Sequence, residues 1–130
     1  MSSNKALNEY IKVNSQEAVS DASPHRLIQM LMDGALQRMA EGKGAMQRNA
    51  TGDKGIALGK AISIVGGLSD SLNLEVEGGL PQKLAKLYEY MVHCLMTANI
   101  NNDASLIDEA INTLKTIKSG WDEITPEFTR

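Results

Sequence analysis

The amino-acid sequence predicts an all-α protein, an antiparallel four-helix bundle preceded by an N-terminal arm or short helix. Apolar residues recur every three or four positions in four segments of about 18 to 24 residues, each roughly 27 to 36 Å long as a helix. No stretch alternates apolar and polar residues as a half-buried strand does. Matched lengths and short connections favour antiparallel neighbours. We therefore assign residues 1–22 to the arm, 23–125 to the bundle and 126–130 to a C-terminal tail.

Residues 1–22 contain apolar side chains in polar surroundings, and the segment is too short to form a stable helix alone. The arm either lies across the bundle or frays as a terminus. The aromatic ring of Tyr10 favours docking, because a large ring left in water forgoes the free energy of its burial.

The first two helices are bounded by capping and turn residues. Ser23 is a suitable N-cap and Pro24 a suitable first residue for helix one. Residues 49–52 predict a turn, after which Asp53 can cap helix two. Gly66 and Gly67 stand in the middle of helix two, where each costs about 1 kcal/mol relative to alanine. This pair indicates either a close approach of another backbone or a bend.

The third and fourth helices follow from the same signals. Gly78 and Gly79 interrupt the chain and Pro81 opens helix three. Two adjacent apolar stripes give helix three the widest apolar arc, so we expect it to be the most buried. Asp103 can cap helix four, and Pro126 marks its end.

The composition is that of one soluble domain. The 130 residues are 42% apolar and 22% charged, with a formal net charge of −3 and both signs scattered. The lack of a basic block argues against a nucleic-acid partner. No apolar run reaches the roughly 18 to 20 residues of a membrane span, and the first residues do not resemble a signal peptide. Cys94, the only cysteine, indicates a buried thiol in a reducing compartment, so we expect a cytoplasmic protein without stable membrane insertion.

The residues needed for catalysis in a helical bundle are missing. A di-iron centre requires Glu-x-x-His on two helices, and neither His25 nor His93 has a glutamate three residues before it. A phosphotransfer histidine is usually followed three residues later by lysine, whereas His93 is followed there by Met96. No nucleophile motif, phosphate loop or zinc spacing is present. We expect no enzymatic activity, no cofactor and no metal.

Several short stretches occur together in an order and spacing that resemble one known family. They are Ala22-Ser23-Pro24-His25-Arg26-Leu27-Ile28, Met30-Leu31-Met32-Asp33-Gly34-Ala35, Lys60-Ala61-Ile62, Gly78-Gly79, Leu87-Tyr88-Glu89-Tyr90-Met91, Ala98-Asn99-Ile100-Asn101-Asn102-Asp103 and Trp121. On these residues, nearly the whole chain resembles the flagellar secretion chaperone FliS family.

The resemblance implies a cytosolic chaperone that binds the disordered C-terminal segment of flagellin, prevents its premature polymerisation and supports its export. An export-gate component is a further partner that it implies. In some family members an arm carrying an apolar residue and a tyrosine covers part of the client groove, and Leu7 and Tyr10 match those positions. A regulatory module that sequesters an anti-sigma factor or a co-chaperone of the flagellar system is the alternative function.

The widest apolar arcs supply the candidates for the client groove. Their sequence pattern does not separate groove from core, and helical apolar stripes usually face inward. The candidates on helices two and three are Ile62, Ile64, Val65, Leu68, Tyr88, Met91, Val92 and Leu95.

Overall fold

Four helices follow one another in a computed structural model that describes residues 22–124. They are α1 (Pro24–Gln47), α2 (Thr51–Asp70), α3 (Leu80–Asn101) and α4 (Ala104–Glu123), and this part of the chain contains no strand. Each helix packs against its neighbour in sequence, and α1 also packs against α4. The elements thus form a closed ring around one core, which confirms the predicted four-helix bundle.

Polar contacts between the first and last helices fix their directions. The Lys43 ammonium lies 2.8 Å from the Asp108 carboxylate, joining the end of α1 to the start of α4. At the opposite end, the Gln29 side-chain amide donates to Asp122 across 2.7 Å. Helix α1 and helix α4 are therefore antiparallel, as the short connections predict.

Three of the predicted helix boundaries are confirmed by their local geometry. The Ser23 hydroxyl accepts from the Arg26 amide at 3.1 Å, and the Asp103 carboxylate accepts from the Ser105 amide at 3.0 Å, so both residues are N-caps. Gly79 precedes α3 with a φ of 80°, a left-handed conformation that glycine adopts without strain. These signals are local, which is why the sequence reveals them.

The predicted N-cap of the second helix was wrong. Helix α2 begins at Thr51 after Ala50, and no side chain caps it. Asn49 adopts a φ of 59°, and the Ala50 amide donates to the Ala45 carbonyl at 2.8 Å, so the turn closes earlier than we expected. Asp53 instead lies in the first turn of α2, where its negative charge interacts favourably with the helix dipole.

The core draws on all four helices. Cys94 is 2% exposed, which confirms the predicted buried thiol. The fully buried large side chains are Leu31, Met32, Met39, Leu58, Val65, Leu68, Met91, Cys94, Leu95, Ile107 and Leu114.

The prediction that the third helix is the most buried was also wrong. Helices α1 and α2 each bury eight residues, whereas α3 buries five. Leu87, Tyr90, Met96 and Ile100 of α3 are exposed. Each helix of a closed ring has only two neighbours, so part of a wide apolar arc remains in contact with water.

None of the helices between residues 22 and 124 has the length and apolar character that a bilayer crossing requires.

Candidate functional site

Two predicted site residues belong to the N-terminal arm. Leu7 and Tyr10 lie outside the described residues, so their docking on the bundle stays a prediction.

Six of the eight candidates on α2 and α3 occupy the core. None of the six is more than 5% exposed, and all of them face the bundle axis: Ile64, Val65, Leu68, Tyr88, Met91 and Leu95. Burial raises the pKa of the Tyr88 hydroxyl to about 12, so the phenol stays neutral near pH 7. Whether any of these six contacts a partner stays a prediction.

Ile62 and Val92 are the two candidates that reach the surface. Both are partly buried and pack against the core cluster. Met96 follows Val92 by about one turn and is 51% exposed, and Ile100 follows by another turn and is 77% exposed. Helix α3 therefore carries an apolar strip from the core into water.

Glycines flank Ile62 along α2. Gly55, Gly59 and Gly66 recur with Ile62 at helical spacing, so all four lie on one side of the helix. A Cβ atom built on any of the three glycines would meet nothing within 4 Å. The packing of the free bundle therefore does not require glycine at these positions.

Contacts with neighbouring helices identify the sides of α2 and α3 that carry these residues. A cleft shared with α1 is lined on α2 by Asp53, Ile56, Ala57 and Lys60. Successive residues of a helix rotate by about 100°, so Gly59 and Ile62 lie away from that cleft, toward α3. Val92 lies two turns before Asn99, whose carbonyl oxygen accepts from Lys54 of α2, so it faces α2. We define the α2–α3 face as Gly55, Gly59, Ile62, Gly66, Val92 and Met96.

The sequence pattern did not reveal a buried lysine at one end of this face. Lys54 is 5% exposed, and its ammonium donates to the Asn99 carbonyl at 3.0 Å and to the Asn102 side-chain oxygen at 2.5 Å. Asn102 ends α3 in a left-handed conformation with a φ of 52°. The lysine thus satisfies carbonyl groups at the negative end of the α3 dipole and joins α2 to α3. Its position one turn before Leu58, on the apolar side of α2, was the available signal.

An aromatic contact joins the start of α1 to the end of α4. The rings of His25 and Trp121 stack with centroids 5.0 Å apart, and the indole N–H of Trp121 donates to the His25 carbonyl at 3.0 Å. Nearby, Lys118 lies 2.8 Å from Asp122 and 3.6 Å from Asp33. The hydrogen bond from Lys118 is the main cause that lowers the pKa of the Asp122 carboxyl. These contacts join the start of α1 to the end of α4, and we call this boundary, together with the Lys43–Asp108 ion pair, the α1–α4 seam.

Within residues 22–124, no three side chains among His, Cys, Asp and Glu lie close enough together to hold a metal ion. His93 and Glu89 are both exposed on α3.

Comparison with known proteins gives a consistent result over almost the whole length. Residues 6–127 match the family described as "Flagellar protein FliS". The chain is 50% identical over 121 residues to the flagellar secretion chaperone FliSB of Pseudomonas aeruginosa, covering 93% of this chain and 96% of that protein. It is 42% identical over 123 residues to the flagellar secretion chaperone FliS of Vibrio cholerae, covering 95% and 90%. It is also 39% identical over 119 residues to FliS of Salmonella typhimurium, covering 91% and 88%. The four-helix bundle described here therefore belongs to the FliS family of flagellar secretion chaperones.

Proposed function

We propose that this protein binds the disordered C-terminal segment of flagellin in the cytoplasm, keeps it from polymerising early and supports its export, without catalysing a reaction. Membership of a secretion-chaperone family supports a flagellar client. The α2–α3 face supports a binding mode in which part of the client forms a helix and lies along the bundle.

The glycines of the α2–α3 face are the observation that carries this proposal. Each of Gly55, Gly59 and Gly66 costs a helix roughly 1 kcal/mol relative to alanine, although alanine would fit at all three positions. Glycine is used where another backbone comes close. A client helix resting on this side of α2 gives these residues a function that the free bundle lacks.

The apolar side chains of the face supply part of the binding free energy. Covering roughly 200 Å² around Val92, Met96 and Ile62 would contribute about 5 kcal/mol at 25 cal/mol per Å². Ordering a disordered client costs about 2 to 5 kcal/mol, so this face alone gives weak binding. We propose that the client also covers other exposed apolar side chains, for which the candidates are Leu74, Val76 and Leu80 near the α2–α3 connection.

We further propose that the arm competes with the client through Leu7 and Tyr10. Removing residues 1–15 should then raise the affinity for the client. Unchanged affinity would mean that the arm is not a gate, and reduced affinity would mean that it is part of the complex.

Calorimetric titration with a flagellin C-terminal peptide tests the client assignment. We expect binding with a negative heat-capacity change, because apolar surface leaves water. Gly59→Leu, which fills the α2–α3 face, should weaken binding by tenfold or more. Gly120→Leu is the matched control, since Gly120 lies on α4 and its Cβ would also meet nothing within 4 Å. The absence of binding at high micromolar peptide would defeat the proposal.

A further inference from the structure

A cleft between α1 and α2 forms a second surface, separate from the α2–α3 face. It lies where the end of α1 meets the start of α2 and has a volume of about 290 Å³. Its lining residues are Arg38, Glu41, Ala45, Arg48, Asp53, Ile56, Ala57 and Lys60. We call this surface the α1–α2 cleft.

The charges of the cleft leave a positive surplus. Arg38 is paired with Glu41 at 3.0 Å, so these two residues largely neutralise each other. Neither the Arg48 guanidinium nor the Lys60 ammonium has a hydrogen-bonding or ion-pair partner among residues 22–124, and both residues are exposed. Asp53 is the remaining carboxylate in the lining, so one positive charge is uncompensated on a chain whose formal net charge is −3.

The same cleft holds an apolar residue that the fold does not cover. Ile56 is 60% exposed, while the neighbouring Ala45 and Ala57 are 1% and 7% exposed and form a small apolar floor. An isolated exposed isoleucine is ordinary, but this one lies inside a concave site beside two unpaired cations. Such a site fits an apolar side chain followed or preceded by carboxylates.

We propose that the α1–α2 cleft binds an acidic segment of a second protein, with one apolar side chain of that segment resting on Ile56 and its carboxylates near Arg48 and Lys60. A nucleic acid fits poorly, because a surplus of one positive charge is small against its continuous row of phosphates. The cleft and the α2–α3 face lie on different sides of α2, so a client and this second partner can be bound together. Binding at the cleft does not require flagellin.

Fluorescence anisotropy with a short labelled peptide of glutamates interrupted by leucines tests this inference. The wild-type protein should bind the peptide, and binding should weaken with added salt because the contacts are between exposed charges. The double variant Arg48→Gln, Lys60→Gln should lower the affinity about fivefold or more. Ile56→Ser should lower it severalfold while leaving the salt dependence intact.

Two controls separate the cleft from general electrostatics. Lys83→Gln, Lys86→Gln removes the same charge from exposed positions on α3 and should change the affinity less than about twofold. A peptide with lysines in place of the glutamates should not bind the cleft. Equal losses in the two double variants, or equal binding of both peptides, would overturn the proposal. Binding of the flagellin peptide should be unchanged in the cleft variants, which distinguishes this result from a failure of the client assignment.

Discussion

Replacing Gly59 by alanine should make the free protein more stable. Gly59 lies inside α2, where alanine is favoured over glycine by about 0.8 to 1.0 kcal/mol. Its new Cβ would meet nothing within 4 Å, so no overpacking offsets the gain. We expect the free energy of unfolding to rise by about 1 kcal/mol, with a Tm about 4 °C higher. Replacing Gly55, Gly59 and Gly66 together by alanine should raise the free energy of unfolding by about 2 to 3 kcal/mol.

Gly42→Ala is the matched control with the opposite sign. A Cβ at Gly42 would lie 2.5 Å from Cδ2 and 2.8 Å from Cγ of Leu58, which is fully buried and cannot move freely. Overpacking of this kind costs about 1 to 3 kcal/mol, which equals or exceeds the gain in helix propensity. We expect a net loss of about 1 kcal/mol.

Urea unfolding followed by circular dichroism measures both variants. The comparison is direct because the same methyl group is added to the same type of residue in a helix. If Gly59→Ala destabilised the protein by 1 kcal/mol or more, Gly59 would not lie at an open surface of α2. Equal effects of the two substitutions would likewise refute the assignment of one glycine to the core and the other to the surface.

Three further predictions concern the contacts that hold the helices together. Lys54→Met should lower the free energy of unfolding by about 1 to 3 kcal/mol in urea melts, because two part-buried hydrogen bonds from a charged donor are lost. Trp121→Phe keeps a ring for stacking on His25 but removes the indole N–H, and should cost about 1 kcal/mol in the same assay. Lys118→Met should raise the pKa of Asp122 measured by NMR titration, since Lys118 is the main cause of its lowering. A lowered carboxyl pKa gives stability that is present above the unfolded pKa and is lost as the pH falls through the folded pKa. The wild type should therefore lose this stability below about pH 4, and the variant, in which Gln29 and His25 still lower the pKa, should lose less of it.

The elements were predictable where the determining interactions are local. Ser23 and Asp103 cap their helices through amides two or three residues away, and these caps follow from residue type alone. The start of α2 was misjudged because Asn49 adopts a left-handed conformation that closes the turn early. Nothing in the residue type of Asp53 distinguishes a cap from a first-turn position.

The candidate site was less predictable, because it depends on what surrounds each side chain. Ile62 and Val65 belong to the same apolar stripe, yet Ile62 reaches the surface and Val65 is fully buried. The Gly66-Gly67 pair was evident in the sequence. The open strip formed by Gly55, Gly59 and Gly66 could be recognised only from the positions of the neighbouring helices. Lys54 was overlooked because its acceptors lie on another helix.

NMR mapping can show whether the α2–α3 face receives a helix of the client. On adding a flagellin C-terminal peptide to the labelled protein, we expect the largest shift changes at the amides of Gly55, Gly59 and Gly66 and at the methyl group of Met96. Residues of the α1–α4 seam, such as Lys43, should change little. Shift changes concentrated at that seam, with the four α2–α3 signals unmoved in a saturated complex, would show that the client binds elsewhere.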